Sequence, residues 1–213
     1  MTEPDRPGPV APSATKVLAT TALVASIAGA ATAWGQFWLP DALGSLANSS
    51  GSWSVVAFVL ALRAPRPGVA ASSGTIALLA LLAGYVLAAA HRGDPSSRSL
   101  LVFWGIAAVV AGPAIGLAAH AIARGSTGAA VVGVGSIAGV LVGEGIYGLT
   151  VVADTTSPPY WWAQIAVGAG FLAAVSVRRL RRARLVGAAC GVTAVVAVSF
   201  ICIYRLDLMS LLS

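Results

Sequence analysis

The chain has 213 residues, of which 58% are apolar and only 9% are charged, and its mean hydropathy is +0.88. A soluble domain carries roughly 25% charged residues, so this composition excludes a soluble globular protein and leaves no length for a soluble catalytic domain. We read the net charge of +6 as a sign of membrane topology rather than of nucleic-acid binding, because cationic residues gather in cytoplasmic loops. The predicted fold is all-α, a single polytopic bundle of transmembrane helices in a lipid bilayer.

Seven apolar stretches predict seven membrane-spanning helices, because roughly 20 residues are needed to cross the hydrocarbon core. The predicted spans are residues 17–39, 43–62, 69–90, 99–122, 129–153, 160–177 and 185–204. The second span is the weakest, since it opens with Gly, Ser and Asn residues that alone would indicate a loop. The polar, Pro-rich residues 1–16 predict a disordered cytoplasmic tail, residues 17–204 form the bundle, and residues 205–213 form a short external tail.

The Arg and Lys residues decide the orientation of these spans. With seven spans and a cytoplasmic N-terminus, ten of the 13 cationic residues lie in cytoplasmic segments, and Arg92, Arg98 and Arg205 lie outside. Without the second span, everything downstream inverts and only five stay inside. The positive-inside bias therefore favours seven spans, with the N-terminus cytoplasmic and the C-terminus outside. Because the cation is almost always Arg, in a chain rich in Ala and Gly, we expect a bacterial plasma-membrane protein.

Glu144 is the most informative polar residue, because it lies well inside the fifth span. A charge in the hydrocarbon layer costs at least about 2.5–3.5 kcal/mol, so this side chain must face the bundle interior or a wet cavity, or be neutral. Tyr147, Val151 and Asp154 follow it at a spacing that places all four on one helical face running outward. Two interpretations stay open for Glu144: binding of a ligand or proton, and a hydrogen bond between helices.

A second polar stripe lies on the outer half of the second span. Ser45, Asn48, Ser49 and Ser52 recur at helical spacing, and lipid would reject such a face, so we expect it to point into the bundle. Hydrogen bonding to neighbouring helices and the wall of a cavity are both compatible with this pattern.

Aromatic residues gather on the same outer side of the predicted bundle. Trp34 and Trp38 flank Gln36 near the end of the first span, and Trp161 and Trp162 open the sixth. An interfacial aromatic belt is the simpler interpretation, but a belt should mark both membrane faces. Acidic residues beside aromatic rings suit a small cation. The predicted ligand-binding residues are Glu144, Tyr147, Asp154, Asn48, Gln36, Trp34, Trp38, Trp161 and Trp162.

The loop between the sixth and seventh spans carries five arginines, Arg178, Arg179, Arg181, Arg182 and Arg184. Each basic residue near an anionic leaflet contributes roughly 1 kcal/mol of attraction, so lipid anchoring is the simplest role. Docking of an acidic cytoplasmic protein partner is the alternative.

The remaining motifs favour packing over chemistry. Gly135, Gly139 and Gly143 recur every four residues, a pattern that lets helix backbones touch within one protein or at an interface with another. His91 and His120 each stand alone, without a second ligand at metal-binding spacing. We find no catalytic motif, and expect no cofactor, no metal and no nucleic-acid partner.

Two segments carry a resemblance to a known family. They are Leu-Ala-Asn-Ser-Ser-Gly-Ser-Trp at 46–53, and Gly-Glu-Gly-Ile-Tyr-Gly at 143–148 with Tyr-Trp-Trp at 160–162. Together they resemble a family of small bacterial multi-pass membrane proteins of unknown function, across most of residues 17–204. A looser likeness is to the substrate-binding subunits of energy-coupling-factor vitamin transporters, which implies an outward-facing ligand site. Those subunits have six helices with both ends inside, unlike the topology predicted for this chain.

These observations predict a membrane protein that binds or transports a small molecule, with a cation favoured, through an outward-facing polar and aromatic pocket. The alternative is a non-catalytic accessory or structural membrane protein that scaffolds a partner or lipid.

Overall fold

The computed structural model describes residues 13–206, and all regular structure in that range is helical. The helices are α1 (Ala14–Trp38), α2 (Asp41–Gly44), α3 (Ser50–Ala61), α4 (Pro67–His91), α5 (Arg98–Arg124), α6 (Thr127–Thr150), α7 (Pro158–Val175) and α8 (Ala183–Arg205). A 3₁₀ turn, Ser45–Asn48, joins α2 to α3, and a π-helical turn, Ser176–Leu180, extends α7. Six helical segments are long and apolar enough to cross a membrane, namely α1, α4, α5, α6, extended α7 and α8. The chain is therefore an all-α protein of the multi-pass membrane type.

The predicted tails fall mostly outside the described residues. Residues 1–12 of the predicted N-terminal tail and residues 207–213 of the predicted C-terminal tail are not described. The first helix begins at Ala14 rather than at residue 17, because the side chain of Ser13 caps it by accepting a hydrogen bond from the Lys16 amide at 3.3 Å.

The second predicted span is not one continuous helix. The chain instead forms α2, the 3₁₀ turn and α3, with a break at Ser49, whose backbone is extended at φ −103° and ψ 130°. Ser and Asn side chains compete for backbone hydrogen bonds, and this favours caps and turns over a continuous helix. With 12 residues, α3 is about 18 Å long, which is less than the roughly 30 Å of a hydrocarbon core.

The contacts of α1 and α4 show that these two helices run in the same direction. Thr21 bonds to Ser73 at 3.1 Å near their beginnings, and Gly29 packs against the backbone of Leu81 further along. Two parallel neighbours require the intervening segment to return along the length of the bundle. That return is made by α2, the 3₁₀ turn and α3.

A second parallel pair, α6 and α8, forms the other half of the bundle. Helix α7 connects them in the chain and runs antiparallel to both. The glycines predicted to pack closely do so within this pair: Gly135, Gly139 and Gly143 contact Val192, Val196 and Ala197 respectively. Small residues allow this approach of the two backbones. Because α6 also contacts α3, α5 and α7, it is the central helix of the fold.

Candidate functional site

The carboxylate of Glu144 on α6 holds the N-terminus of α3 inside the bundle. Only 5% of Glu144 is exposed. Its Oε1 accepts a hydrogen bond from the Ser50 amide at 2.7 Å, and its Oε2 accepts one from the Gly51 amide at 2.6 Å. These amides belong to the first turn of a helix, where backbone N–H groups have no partner within the helix. A negative charge there is also stabilised by the helix dipole.

Two side chains complete the shell around this carboxylate. Ser49 donates its hydroxyl to Oε2 of Glu144 at 2.7 Å, and Gln164 on α7 donates its amide to the same oxygen at 2.6 Å. Ser49 is also the N-cap of α3, because its hydroxyl accepts the Ser52 amide hydrogen bond at 3.2 Å. All four groups that contact Glu144 are donors, which is the environment that an ionised carboxylate requires.

Gly51 is required by the close approach of these groups. A Cβ atom at this position would lie 2.6 Å from Oε2 of Glu144 and 2.7 Å from Nε2 of Gln164. Neither polar atom can retreat without losing its hydrogen bonds. The sequence Ser-Ser-Gly at 49–51 therefore supplies the cap hydroxyl, two amide donors and the space for the carboxylate.

An aromatic cluster centred on Tyr204 lies beside this site. The Tyr204 hydroxyl lies 2.5 Å from the hydroxyl of Ser50, and its ring stacks on Phe200 with ring centres 4.3 Å apart. Tyr147 and Phe103 meet the same ring edge-on at 5.5 and 6.5 Å. The cluster thus joins α3, α5, α6 and α8. Sequence reasoning missed Tyr204, because a Tyr at the end of an apolar stretch is typical of the membrane interface.

A large cleft extends from this cluster between α5 and α8. Its volume is about 720 Å³, and it is lined by residues of α3, α5, α6 and α8 with Leu78 of α4. The lining is mostly apolar. To describe positions, we call the two ends of the bundle the Trp38 end and the Ser13 end, after the two ends of α1. Among the polar lining residues, Ser50, Trp53 and Tyr204 lie toward the Trp38 end, whereas Ser54 and Ser136 lie further along the cleft.

The cleft is open at the side of the bundle. Val110 and Ile106 line it and remain 71% and 54% exposed. Both residues lie on α5, one of the segments suited to crossing a membrane. The opening therefore lies along a membrane-spanning helix rather than at a loop.

The predicted aromatic residues of α1 lie apart from this cleft. Trp34 and Trp38 stack with their centres 5.3 Å apart, and the Arg92 guanidinium lies 5.2 Å from the Trp34 ring. Gln36 donates to the Tyr85 hydroxyl at 3.3 Å. These side chains form an aromatic surface at the Trp38 end of α1 and α4, where Trp38 is exposed.

The predicted residues of α7 divide between the interior and the surface. Trp161 is buried, packs against Gly148 and donates its indole N–H to Thr156 at 2.8 Å, whereas Trp162 is exposed. Gln164, one turn further on, reaches Glu144. The sequence analysis did not include Gln164 in the site, because nothing in the sequence shows that it faces α6.

The predicted stripe along α6 ends earlier than expected. The helix stops at Thr150, so Asp154 lies exposed in the following loop and not on the helical face of Glu144 and Tyr147. The Thr, Ser and Pro residues that follow favour turns over helix and end α6 three residues before the predicted boundary. Asn48 is also exposed, in the 3₁₀ turn. Of the predicted ligand-binding residues, Glu144 and Tyr147 are therefore the two beside the Ser50–Tyr204 pair.

The arginine loop contains one residue with a structural contact. Arg179 donates to the carbonyls of Ile122 at 2.6 Å and Gly125 at 2.9 Å, at the C-terminus of α5. It therefore satisfies carbonyl groups that a helix end leaves without partners. The other four side chains are exposed: Arg178, Arg181, Arg182 and Arg184.

Comparison with known proteins gives a family but no activity. Residues 9–209 match the family described as "Family of unknown function (DUF6518)". No curated protein and no solved structure matches the chain. The likeness to the energy-coupling-factor subunits thus rests on the sequence resemblance alone. Because the match covers nearly the whole chain, this protein belongs to DUF6518, a family of unknown function.

Proposed function

We propose that this protein binds a small molecule that enters its cleft from the bilayer, and that it does so without catalysis. The single observation behind the proposal is the cleft itself. Its volume of about 720 Å³ falls within the roughly 300–1,000 Å³ of small-molecule sites, and such sites combine an apolar lining with a few polar groups. None of the nine ligand-binding residues predicted from the sequence lines this cleft, but Tyr147 contacts Tyr204 at its Trp38 end.

The proposed topology has seven crossings, with the N-terminus cytoplasmic and the C-terminus outside, in a bacterial plasma membrane. The parallel pairs α1–α4 and α6–α8 support it, since each pair needs one crossing between its members. The arginine loop then faces the cytoplasm, as the positive-inside bias favours. The test is labelling of Arg181→Cys and Asp154→Cys in a chain lacking Cys190 and Cys202, with an impermeant thiol reagent on whole cells. Labelling at 181 from outside would overturn this topology.

Native mass spectrometry of protein extracted in mild detergent tests the binding proposal. Ala111 lies near the middle of the α5 lining, so Ala111→Phe obstructs the cleft, whereas Ala166→Phe adds the same ring to an exposed position on α7. We expect a small adduct on the unmodified protein and on Ala166→Phe, and its loss from Ala111→Phe. An adduct that Ala111→Phe retains, or a bare protein in all three samples, contradicts the proposal.

A structural or accessory role is the second candidate, and a specific observation favours it. Every hydrogen bond to Glu144 in the described residues comes from its own chain, so this carboxylate is already satisfied without a ligand. In that case the exposed arginines meet anionic lipid or an acidic partner. The role predicts that Glu144→Gln changes stability alone, and that the purified protein carries another polypeptide or only bulk lipid.

A further inference from the structure

The length of the cleft restricts what can fill it. Its lining on α5 extends from Phe103 to Ala118, which is about 22 Å along a helix and most of the roughly 30 Å hydrocarbon thickness. A single extended hydrocarbon chain lying parallel to α5 matches this length and the mostly apolar lining.

The Trp38 end of the cleft offers hydrogen bonds to a head group. The hydroxyls of Ser50 and Tyr204 share one hydrogen bond of 2.5 Å. Two hydroxyls carry two protons and one bond uses only one of them, so one donor and several lone pairs remain for a ligand. An alcohol or amine can use these groups.

The electrostatics of this end disfavour an anion. Ser50 donates its amide to Glu144, so a carboxylate lies directly behind the hydroxyl pair. Among residues 13–206, the lining contains no Lys, Arg or His to compensate an anionic head.

From this geometry we infer that the cleft binds a single-chain amphiphile with a neutral or cationic hydrogen-bonding head, and not a fatty acid or other anionic lipid. The head lies at the Ser50–Tyr204 pair, and the chain runs along α5 toward Ala118. This inference rests on the proposed function and names the class of its ligand.

Three ligands of equal chain length test the inference: cetylamine, cetyl alcohol and palmitate, each brominated on the chain carbons nearest its head group. The protein is held in nanodiscs of zwitterionic lipid, at a pH where the amine is protonated and palmitate is ionised. Bromine quenches tryptophan on contact, and both Trp53 and Trp104 line the cleft. We expect saturable quenching with an apparent affinity at least tenfold higher for the amine and the alcohol than for palmitate. Ala111→Phe should abolish the saturable phase, and Ala166→Phe should keep it.

The possible results distinguish failure of the inferred ligand class from failure of the proposed small-molecule binding. Palmitate that quenches as tightly as the amine, with Ala111→Phe still abolishing the signal, overturns the ligand class and leaves the binding cleft intact. No saturable quenching by any of the three, with a bare protein in the mass spectrum, overturns both. Tyr204→Phe keeps the ring and removes one hydroxyl, so we expect about tenfold weaker binding of the alcohol, the worth of one hydrogen bond. Unchanged affinity would show that the head lies elsewhere.

Discussion

The carboxylate of Glu144 lies 2.6 Å from the backbone nitrogen of Gly51, although 93 positions separate the two residues along the chain. Through this contact a side chain of α6 does for α3 what an N-cap residue normally does from within its own helix. Helix α3 can therefore begin inside the bundle without leaving its first backbone amides unpaired, which would cost several kcal/mol for each group in hydrocarbon.

Replacing Glu144 by Gln should destabilise the fold. The new amide nitrogen must face at least one donor that now points at a carboxylate oxygen, and a buried unpaired donor costs about 1–3 kcal/mol. We expect a loss of about 2–4 kcal/mol in the free energy of unfolding, measured by denaturant titration in mixed micelles.

The control for this prediction exchanges the two side chains. Glu144→Gln with Gln164→Glu returns a carboxylate to the same shell, since Gln164 already contacts both Glu144 and Ser49. The double variant should recover part of the lost stability. If it is no better than Glu144→Gln alone, the charge at this helix end is not what stabilises α3.

Gly51→Ala should disturb the same carboxylate by crowding. The added methyl would lie 2.6 Å from Oε2 of Glu144, closer than any real contact permits, so the side chain must move and lose hydrogen bonds. We expect a loss of about 1–3 kcal/mol, the usual cost of overpacking. Combining it with the shorter Glu144→Asp should cost less than the sum of the two single changes. Strict additivity in the double-mutant cycle would contradict this account.

The arginines of the loop after α7 should separate into two classes. Arg179→Gln removes the group that bonds to the Ile122 and Gly125 carbonyls, and we expect a loss of about 1–3 kcal/mol of stability. Arg181→Gln changes an exposed side chain, so stability should stay within about 0.5 kcal/mol while binding to anionic vesicles weakens. A matched pair of unfolding and vesicle-binding measurements checks both, and equal effects of the two substitutions would refute the division.

Replacing glycine by alanine should have opposite effects on stability at two positions with different surroundings. A Cβ at Gly139 would lie 2.6 Å from Cβ of Val196, so Gly139→Ala must separate α6 from α8 and should cost about 1–3 kcal/mol. A Cβ at Gly191, on α8, meets nothing within 4 Å, and Gly191→Ala should be neutral or stabilise by up to about 1 kcal/mol. Thermal unfolding of the two variants side by side measures the contrast, and a stabilised Gly139→Ala would contradict the close packing.

Hydropathy predicted most of the fold, because the bilayer dictates helix length so strongly. The six long segments lie within a few residues of the predicted spans, and the close packing of Gly139 was visible as a four-residue repeat. The break at Ser49 was visible only as a doubt about the second span. A helix that begins inside the bundle needs an acceptor from elsewhere in the chain for its first backbone N–H groups. The sequence cannot show that Glu144 is that acceptor.

The candidate site was harder to predict than the fold. Glu144 stood out because its burial is costly, and the polar stripe predicted that Ser49 faces the bundle, but nothing in the sequence pairs these two residues with each other or with Gln164. The aromatic residues were predicted to share one pocket, and this was wrong for a different reason. Trp34 and Trp161 lie at the expected ends of their helices, but they face different neighbours. Helical rotation, which decides what two spans present to each other, depends on packing that a single sequence does not encode locally.

The contact between Arg124 and α3 has a consequence for how the chain enters its membrane. Arg124, the last residue of α5, donates to the Leu62 carbonyl at 2.8 Å, while Glu144 of α6 receives the amides at the opposite end of α3. Both ends of α3 thus depend on residues that the ribosome adds long after α3 itself. We expect the translocon to release this segment before its position in the bundle is fixed, and α3 to reach its final position only when the hairpin of α5 and α6 has been inserted.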